Sequence, residues 1–431
     1  MGAYDASKQP VSHARQLEQI RMKKVFLAVS LLLAFAASNA ALPAADEGFP
    51  LEMKTGKDPR AEAGIPVDWR RLETGETVPK ALSLPESPAL SLYFAKWVTP
   101  MVKEGFLWMA VGRSSADSAY DTLYIDANCN GSLADETAVK AYQAQPYETL
   151  FGPVKVTFPN AEDPSEYYLN VRCSRLTVIG RAAGGASQRP VEQRDFFELW
   201  ASPACWREGT VKEGDKEYRC VISDYNSNGA FNDTSMNPEQ MDRIAISAGN
   251  EPQFLGLGKY FCVADTFFRV ELPPSGARIS LTSAANAPMG TVRTGKDITL
   301  FSITGENGQL VFDPNTGPVL APAGQWVTSF WGMEREDASG AKWRLFARGS
   351  PESRTFEVTE GKETALDIGE SLVSRLSVGP GPGGYEFEVT LTSKWEERVI
   401  LVWRNNTPFA PKLRITNADG TYDKMVQFKP G

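Results

Sequence analysis

The sequence predicts an all-β protein that is divided into several domains. Short runs rich in β-branched and aromatic residues recur along its 431 residues, as at 106–111, 168–173, 298–303 and 399–403. Several longer runs alternate apolar and polar side chains, as at 385–391. No stretch after residue 40 keeps a 3.6-residue apolar period over the length of a typical helix. These observations predict strands, many with one buried face, and no substantial helix.

Turn residues separate the predicted strands. Asn-Gly, Asp-Gly and related pairs are typical of tight hairpin connections, because they tolerate positive backbone φ angles. The sequence therefore predicts hairpin turns at residues 306–308, 337–340, 360–361 and 419–420.

The N-terminus predicts export. Residues 21–24 are basic, residues 25–37 are almost continuously apolar, and Ser38 and Ala40 place small residues at −3 and −1 of a cleavage site. This apolar run is shorter than the roughly 20 residues that span a bilayer and matches a signal-peptide core. We expect cleavage after Ala40 and a mature chain without a transmembrane segment, secreted, periplasmic or at the cell surface.

The composition excludes several kinds of chemistry. The only histidine, His13, precedes the expected cleavage site, which excludes Ser-His-Asp and Cys-His catalysis and histidine zinc sites. Without residues 1–40 the chain has 40 basic and 51 acidic residues. This acidic excess disfavours nucleic-acid binding and suits cations. Metal chemistry in such a chain is expected to use oxygen ligands, which select calcium over zinc, copper or haem iron.

The distribution of predicted strands and turn residues along the chain predicts five segments. They are an N-terminal extension with the signal (1–40), a β domain (41–140), a second β domain with most of the cysteines (141–275), a small β-sandwich (276–350) and an immunoglobulin-like β-sandwich (351–431). The last assignment depends on seven candidate strands in about 80 residues.

All five cysteines lie in the middle of the chain, at 129, 173, 205, 220 and 262. No two of them form a C-x-x-C pair, which disfavours a zinc or redox site. In an exported chain four of them can form two disulfides, and Cys220 with Cys262 is one candidate pair. The alternative is that all five are buried thiols.

Two segments share the pattern D-x-N-x-N-G-x-x-x-D, and each directly follows an apolar strand. We name residues 126–136 loop A and residues 224–233 loop B. Ca²⁺ takes six to eight oxygen ligands. Side-chain oxygens at loop positions 1, 3 and 5 point inward as such a loop curls, Gly at position 6 allows the bend, position 7 offers a carbonyl, and a late carboxylate closes the shell.

The sequence therefore predicts one Ca²⁺ in each loop. The predicted ligands of loop A are Asp126, Asn128, Asn130, the Ser132 carbonyl, and Asp135 or Glu136. Those of loop B are Asp224, Asn226, Asn228, the Ala230 carbonyl and Asp233.

The loops resemble the calcium loops of EF-hand and dockerin-like proteins, as carried by secreted bacterial β-rich proteins. They differ in that a strand enters each loop, and in that position 12 is Thr137 or Ser235 in place of the bidentate Glu. Few formal charges per loop imply a dissociation constant on the order of 10⁻⁴–10⁻³ M. The alternative interpretation is that the Asn-Gly pairs only form hairpin turns, with Asp and Asn capping their own backbone.

Three classes of function stay open at this stage. The favoured one is an exported calcium-binding, structural or interaction protein, whose further partner is a glycan or an envelope protein. The second is an envelope glycan hydrolase that uses two carboxylates about 5–10 Å apart, although no motif favours catalysis. The third is a surface adhesin or glycan-binding protein. That class predicts exposed tryptophans among positions 97, 108, 200, 206, 326 and 331.

Overall fold

A computed structural model describes residues 48–86, 88–179, 193–249, 252–263, 266–314, 317–349, 353–381 and 384–428. The predicted signal sequence, its cleavage point after Ala40 and His13 lie outside these residues.

The described ranges form β-strands joined by turns, with one five-residue helix, α1 (Pro59–Ala63). Up to residue 179 the strands are β1 (Phe49–Thr55), β2 (Arg70–Leu72), β3 (Thr74–Gly75), β4 (Leu90–Val98), β5 (Phe106–Arg113), β6 (Thr122–Ile125), β7 (Val139–Lys140), β8 (Gln143–Ala144), β9 (Glu148–Phe158) and β10 (Ser165–Ile179).

From residue 193 to 283 they are β11 (Gln193–Pro203), β12 (Cys205–Glu213), β13 (Lys216–Ser223), β14 (Arg243–Ser247), β15 (Leu255–Gly256), β16 (Tyr260–Val263), β17 (Thr266–Glu271) and β18 (Arg278–Ser283).

From residue 289 they are β19 (Met289–Thr294), β20 (Ile298–Gly305), β21 (Gly308–Phe312), β22 (Val319–Pro322), β23 (Gly324–Glu336), β24 (Lys342–Arg348), β25 (Thr355–Val358), β26 (Glu363–Leu366), β27 (Leu372–Gly381), β28 (Gly384–Ser393), β29 (Arg398–Arg404), β30 (Thr407–Pro408), β31 (Lys412–Thr416) and β32 (Asp423–Gln427). With 56% strand and 2% helix, the structure confirms the predicted all-β class.

Three sheets form the N-terminal part of the structure. Their strand orders are β15-β14-β13-β12-β1-β18-β17-β16, β2-β11-β10-β9-β8 and β3-β4-β5-β6-β7. Alternation drives the packing: along β9, every second side chain from Thr149 onward is buried until a shift at Gly152. One continuous apolar core runs from Leu51 to Ile279. Both loops are anchored in this core, because β6 and β13 lead into them.

The C-terminal part has its own apolar core, which runs from Val292 to Val399. A sheet with the order β21-β20-β23-β24-β29-β28-β27, in which β25 also pairs with β23 and β30 with β29, lies beside the smaller sheet β22-β19-β26. All seven strands predicted after residue 351 are formed. Four of them, β25, β27, β28 and β29, belong to a sheet that begins before that residue, because β23 pairs with β25 and β24 with β29. Strand β26 joins the smaller sheet, and β31 and β32 form a two-stranded sheet. The immunoglobulin-like arrangement and the predicted domain boundaries stay predictions.

Three of the four predicted hairpin turns join antiparallel neighbours. The pairs are β20 with β21, β23 with β24 and β31 with β32. The turn at residues 360–361 differs, because β25 pairs with β23 whereas β26 pairs in parallel with β19. This connection therefore links two sheets.

The five cysteines form no disulfide in the described structure. The candidate Cys220–Cys262 bridge is therefore wrong. The alternative of five buried thiols is confirmed only in part, because Cys173, Cys205 and Cys220 are buried whereas Cys129 and Cys262 are half-buried. Cys220 is fully buried in β13, and burial raises its thiol pKa to about 12. Among the described residues, no helix has the length and apolarity to cross a membrane.

Candidate functional site

Loop A follows β6 and loop B follows β13, so both predicted strand entries are confirmed. All four residues of β6 are buried, and so are the last four of β13. These strands hold the first aspartate of each loop in the protein interior. Asp126 is 2% exposed and Asp224 is not exposed.

The first aspartate of each loop collects backbone N–H groups. In loop A, Asn130 N donates to Asp126 Oδ1 and Gly131 N donates to Asp126 Oδ2, both at 2.9 Å. In loop B, Asn228 N and Gly229 N donate to the two oxygens of Asp224 at 3.2 and 2.7 Å. The backbone therefore curls around one carboxylate in each loop.

The two asparagines of each loop stabilise the same curl. The Asn128 Oδ1 accepts from Asn130 N at 3.1 Å, and the Asn130 Oδ1 accepts from Ser132 N at 2.9 Å. Asn226 and Asn228 make the same two contacts, at 3.2 and 2.9 Å. These side-chain turns two residues long are typical of Asx motifs.

The late aspartate of each loop accepts hydrogen bonds from both asparagines and so closes a ring of side-chain contacts within the loop. Asn128 Nδ2 and Asn130 Nδ2 donate to Asp135 Oδ2 at 2.9 and 2.8 Å. Asn226 Nδ2 and Asn228 Nδ2 donate to Asp233 Oδ2 at 3.1 and 2.8 Å. The structure thus brings positions 1, 3, 5 and 10 of each predicted site together. Amide hydrogens of both asparagines face the late carboxylate.

Both loops use the same backbone conformation. Position 4 has a positive φ, 61° at Cys129 and 60° at Ser227, and position 6 is a glycine at 80° and 91°. Neither loop is a two-residue hairpin turn, because each one spans at least ten residues between strands. Each loop does join antiparallel neighbours, β6 with β7 and β13 with β14, so the hairpin part of the turn alternative holds for the connection but not for its length. The other part of that alternative, capping of the loop's own backbone by Asp and Asn, is what the hydrogen bonds show.

A second carboxylate supports each loop from outside the ring. Glu136 Oε1 accepts from Ala127 N at 2.8 Å, so Glu136 holds the loop entry while Asp135 faces the asparagines. In loop B the corresponding residue is Asp242, which accepts from Tyr225 N at 3.1 Å and Asp233 N at 2.9 Å. The sequence does not point to Asp242, because this residue lies nine residues after the motif and no local spacing marks it.

Loop B concentrates buried negative charge. Asp224 and Asp242 are both fully buried. Burial raises the pKa of Asp224 to about 7, and burial together with Asp224 and Asp233 raises the pKa of Asp242 well above its usual value. Arg243 interacts electrostatically with Asp242. Its guanidinium, however, lies over the ring of Tyr225, 4.3 Å from the ring centroid.

Loop A is more open. Burial raises the pKa of Asp126 and of Glu136, whereas the hydrogen bond from Asn128 lowers the pKa of the solvent-exposed Asp135. Ser132 also lies at the surface, where its Oγ accepts from Ala134 N, while Ala230 at the same position of loop B is buried.

Aromatic side chains enclose loop B. Trp97 Nε1 donates to Ser227 O at 2.7 Å, and Tyr167 Oη donates to Asp224 Oδ2 at 2.7 Å. Trp97 and Tyr167 are both nearly inaccessible to solvent. Loop A instead touches the end of β9, where Thr157 N donates to Ala127 O at 2.8 Å.

The donor chemistry of both loops fits a hard cation, since carboxylate and amide oxygens supply all the side-chain ligands. The arrangement is not that of a formed site. Among the described residues, no group of three or more His, Cys, Asp or Glu side chains is placed to hold a metal ion. A cation would need the asparagine amides to turn their oxygens toward Asp135 and Asp233.

The tryptophans give no exposed row in the described structure. Trp97, Trp206, Trp326 and Trp331 are buried in the cores, and Trp108 and Trp200 are half-buried. Core packing therefore accounts for most of the positions that a glycan platform would need.

Comparison with known proteins finds no matching family model, and no curated protein or solved structure matches the chain.

Proposed function

We propose that the protein is an exported structural or interaction protein in which loops A and B each bind one Ca²⁺. Export is supported by the sequence of residues 21–40. The observation that carries the calcium proposal is the convergence of the side chains at positions 1, 3, 5 and 10 in each loop, together with the negative charge of Asp224, Asp233 and Asp242 at loop B. Two of them are fully buried, and among the described residues none forms an ion pair with Lys or Arg.

Buried carboxylates are costly unless a counter-charge or hydrogen bonds compensate them. Here hydrogen bonds from the backbone compensate in part. The three charges still repel one another, since Asp224 and Asp233 both raise the pKa of Asp242. A divalent cation would remove this repulsion and favour the ionised forms.

Asp126, Asn128, Asn130 and the Ser132 carbonyl would hold the ion in loop A, with Asp135 as the closing carboxylate. Asp224, Asn226, Asn228, the Ala230 carbonyl and Asp233 would do so in loop B. Glu136 and Asp242 would position the loops through the backbone N–H groups they accept. The ion supplies positive charge that holds the curled loop.

A site with such a weak affinity for Ca²⁺ would stabilise the fold rather than act as a calcium sensor. At a Ca²⁺ concentration ten times the dissociation constant, each loop would add about 1.4 kcal/mol to the free energy of unfolding. The ions would then rigidify connections that follow β6 and β13.

Thermal unfolding with and without millimolar Ca²⁺ tests the proposal. The melting temperature of the wild-type chain should rise with Ca²⁺, the rise should shrink in Asp126→Ala and in Asp224→Ala, and it should vanish in the double variant.

The matched control is Asp337→Ala. Asp337 also accepts two backbone N–H groups in a turn, from Ser339 and Ala341, but its turn carries no asparagines. This variant should keep the full calcium effect. An unchanged wild-type melting temperature would refute the proposal.

A further inference from the structure

Strand β27 is an open edge of the largest C-terminal sheet. It pairs with β28 over ten successive residues without a bulge, from Leu372 opposite Ser393 to Gly381 opposite Gly384. Within the described part of the chain, no strand pairs with its other side. The backbone N–H and C=O groups on that side are therefore available to another strand.

The two faces of the β27–β28 hairpin differ in polarity. Residues opposite each other share a face, so one face is apolar and carries Leu372, Leu376, Val378, Tyr385, Phe387, Val389 and Leu391. The other face carries Arg375, Ser377, Glu386, Glu388, Thr390 and Thr392 together with one apolar residue, Val373, and on β27 Ser374 and Pro380 interrupt the apolar face.

This alternation is typical of a strand with one buried face. Yet Leu376 is 48% exposed, Val378 55% and Tyr385 77%. Of the apolar side chains on this face, Leu391 packs against the C-terminal core.

Natural edge strands are commonly blocked by lysines, prolines or bulges. Between Leu372 and Val378 the only charged residue is Arg375, and its side chain lies on the polar face. Pro380 stands near the end of the strand and leaves the preceding residues free to pair. A two-stranded hairpin is only marginally stable by itself, whereas a sheet of three or more strands with an apolar face can be stable.

We propose that β27 pairs antiparallel with β27 of a second copy of this chain, with Leu376 on the two-fold axis. In this register Leu376 lies opposite the partner's Leu376, Ser374 opposite the partner's Val378, and Arg375 opposite the partner's Ser377. The two hairpins then form one four-stranded sheet, and their apolar faces lie on the same side of it.

Charge complementarity selects a second copy over an unrelated peptide. Arg375 forms no ion pair among the described residues, whereas Glu388 Oε1 already lies 3.8 Å from Arg398 Nη2 in a solvent-exposed ion pair that Arg375 of the second copy would share. Ser377 lies opposite Glu388 on β28, so in the dimer Arg375, the partner's Ser377 and the partner's Glu388 stand in one row on one face. Adjacent strands are about 4.8 Å apart. The long Arg375 side chain therefore reaches across the small serine, and symmetry makes the contact twice.

Sedimentation of the mature chain over a range of protein concentrations tests the pairing. A reversible dimer is expected. Leu376→Lys places a charge on the axis and should raise the dimer dissociation constant by at least about tenfold.

Leu320→Lys is the matched control. Leu320 is also 48% exposed and lies on β22, the edge strand of a different sheet. This variant should leave the dimer unchanged.

Charge reversal tests the register. Arg375→Glu and Glu388→Arg should each weaken the dimer about fivefold, and the double variant should restore it. A chain that is monomeric at all concentrations would overturn the proposal and leave the edge to some other extended peptide. A dimer that is indifferent to Leu376→Lys, or charge reversals without mutual rescue, would overturn the pairing of β27 with itself.

Discussion

The hydroxyl of Tyr167 donates a hydrogen bond to the Oδ2 of Asp224 at 2.7 Å, and both side chains are buried. Tyr167 lies on β10, 57 residues before the loop it stabilises. Asp224 thereby accepts three hydrogen bonds, one from the Tyr167 hydroxyl and two from backbone N–H groups of loop B. This contact ties the loop to the N-terminal core.

Tyr167→Phe should lower the free energy of unfolding by about 1–3 kcal/mol, because a buried carboxylate loses a donor. Urea denaturation measures the change. Tyr168→Phe is the neighbouring control, since Tyr168 Oη donates at 3.3 Å to the exposed Glu166, and it should cost much less. Equal effects of the two variants would show that the contact with Asp224 does not stabilise the loop.

Gly229→Ala should destabilise the protein more than Gly131→Ala. Both glycines have positive φ, and each substitution should cost about 1 kcal/mol for that reason. A Cβ at Gly131 would meet no atom within 4 Å, whereas a Cβ at Gly229 would lie 3.1 Å from Trp97 and 3.3 Å from Phe158. Urea denaturation of the two variants should separate them, and the opposite order would contradict the packing of loop B.

Without calcium, the stability of the protein should fall as pH rises from about 4 to about 7. The pKa of Asp224 is raised to about 7 in the folded state, above the value of about 3.9 in an unfolded chain. Its contribution is therefore fully present below pH 4 and is lost as pH rises through the folded pKa. The pKa of Asp242 is also raised in the folded state, so its contribution to stability is lost in the same direction, as pH rises.

Unfolding in urea at several pH values measures this slope. Asp224→Asn should reduce it, because the amide does not titrate. The calcium-induced rise in melting temperature should change in the opposite sense and grow over the same interval, because Ca²⁺ binds the ionised carboxylates. A stability without pH dependence in this interval would contradict the buried, ionisable state of Asp224.

Much of the fold and part of the site followed from local patterns. Alternation predicted the strands, including all seven after residue 351, and the Asp/Asn spacing identified the residues that converge in each loop. Tertiary partners were not predictable in this way. Tyr167 reaches loop B from β10 and Asp242 from the residue before β14, and no spacing within the motif specifies them.

Pairing was also hidden from the sequence. The residues at 360–361 have the composition of a hairpin turn, but β26 gains its partner, β19, from about 70 residues earlier. The alternation at 385–391 predicted a buried face, whereas the structure leaves Tyr385 exposed and Phe387, Val389 and Leu391 only half-buried. Local patterns specify which face is apolar, and they do not specify what covers it.

The central claim is that loops A and B each hold one calcium ion. Equilibrium dialysis of the chain from residue 41 onward against radioactive Ca²⁺ tests it most directly, with Asp126→Ala, Asp224→Ala, their double variant and the control Asp337→Ala measured in parallel. We predict two ions per chain for the wild type and for Asp337→Ala, one for each single loop variant and none for the double loop variant. Wild-type chains that retain no calcium at millimolar concentration, or loop variants that retain both ions, would contradict the claim.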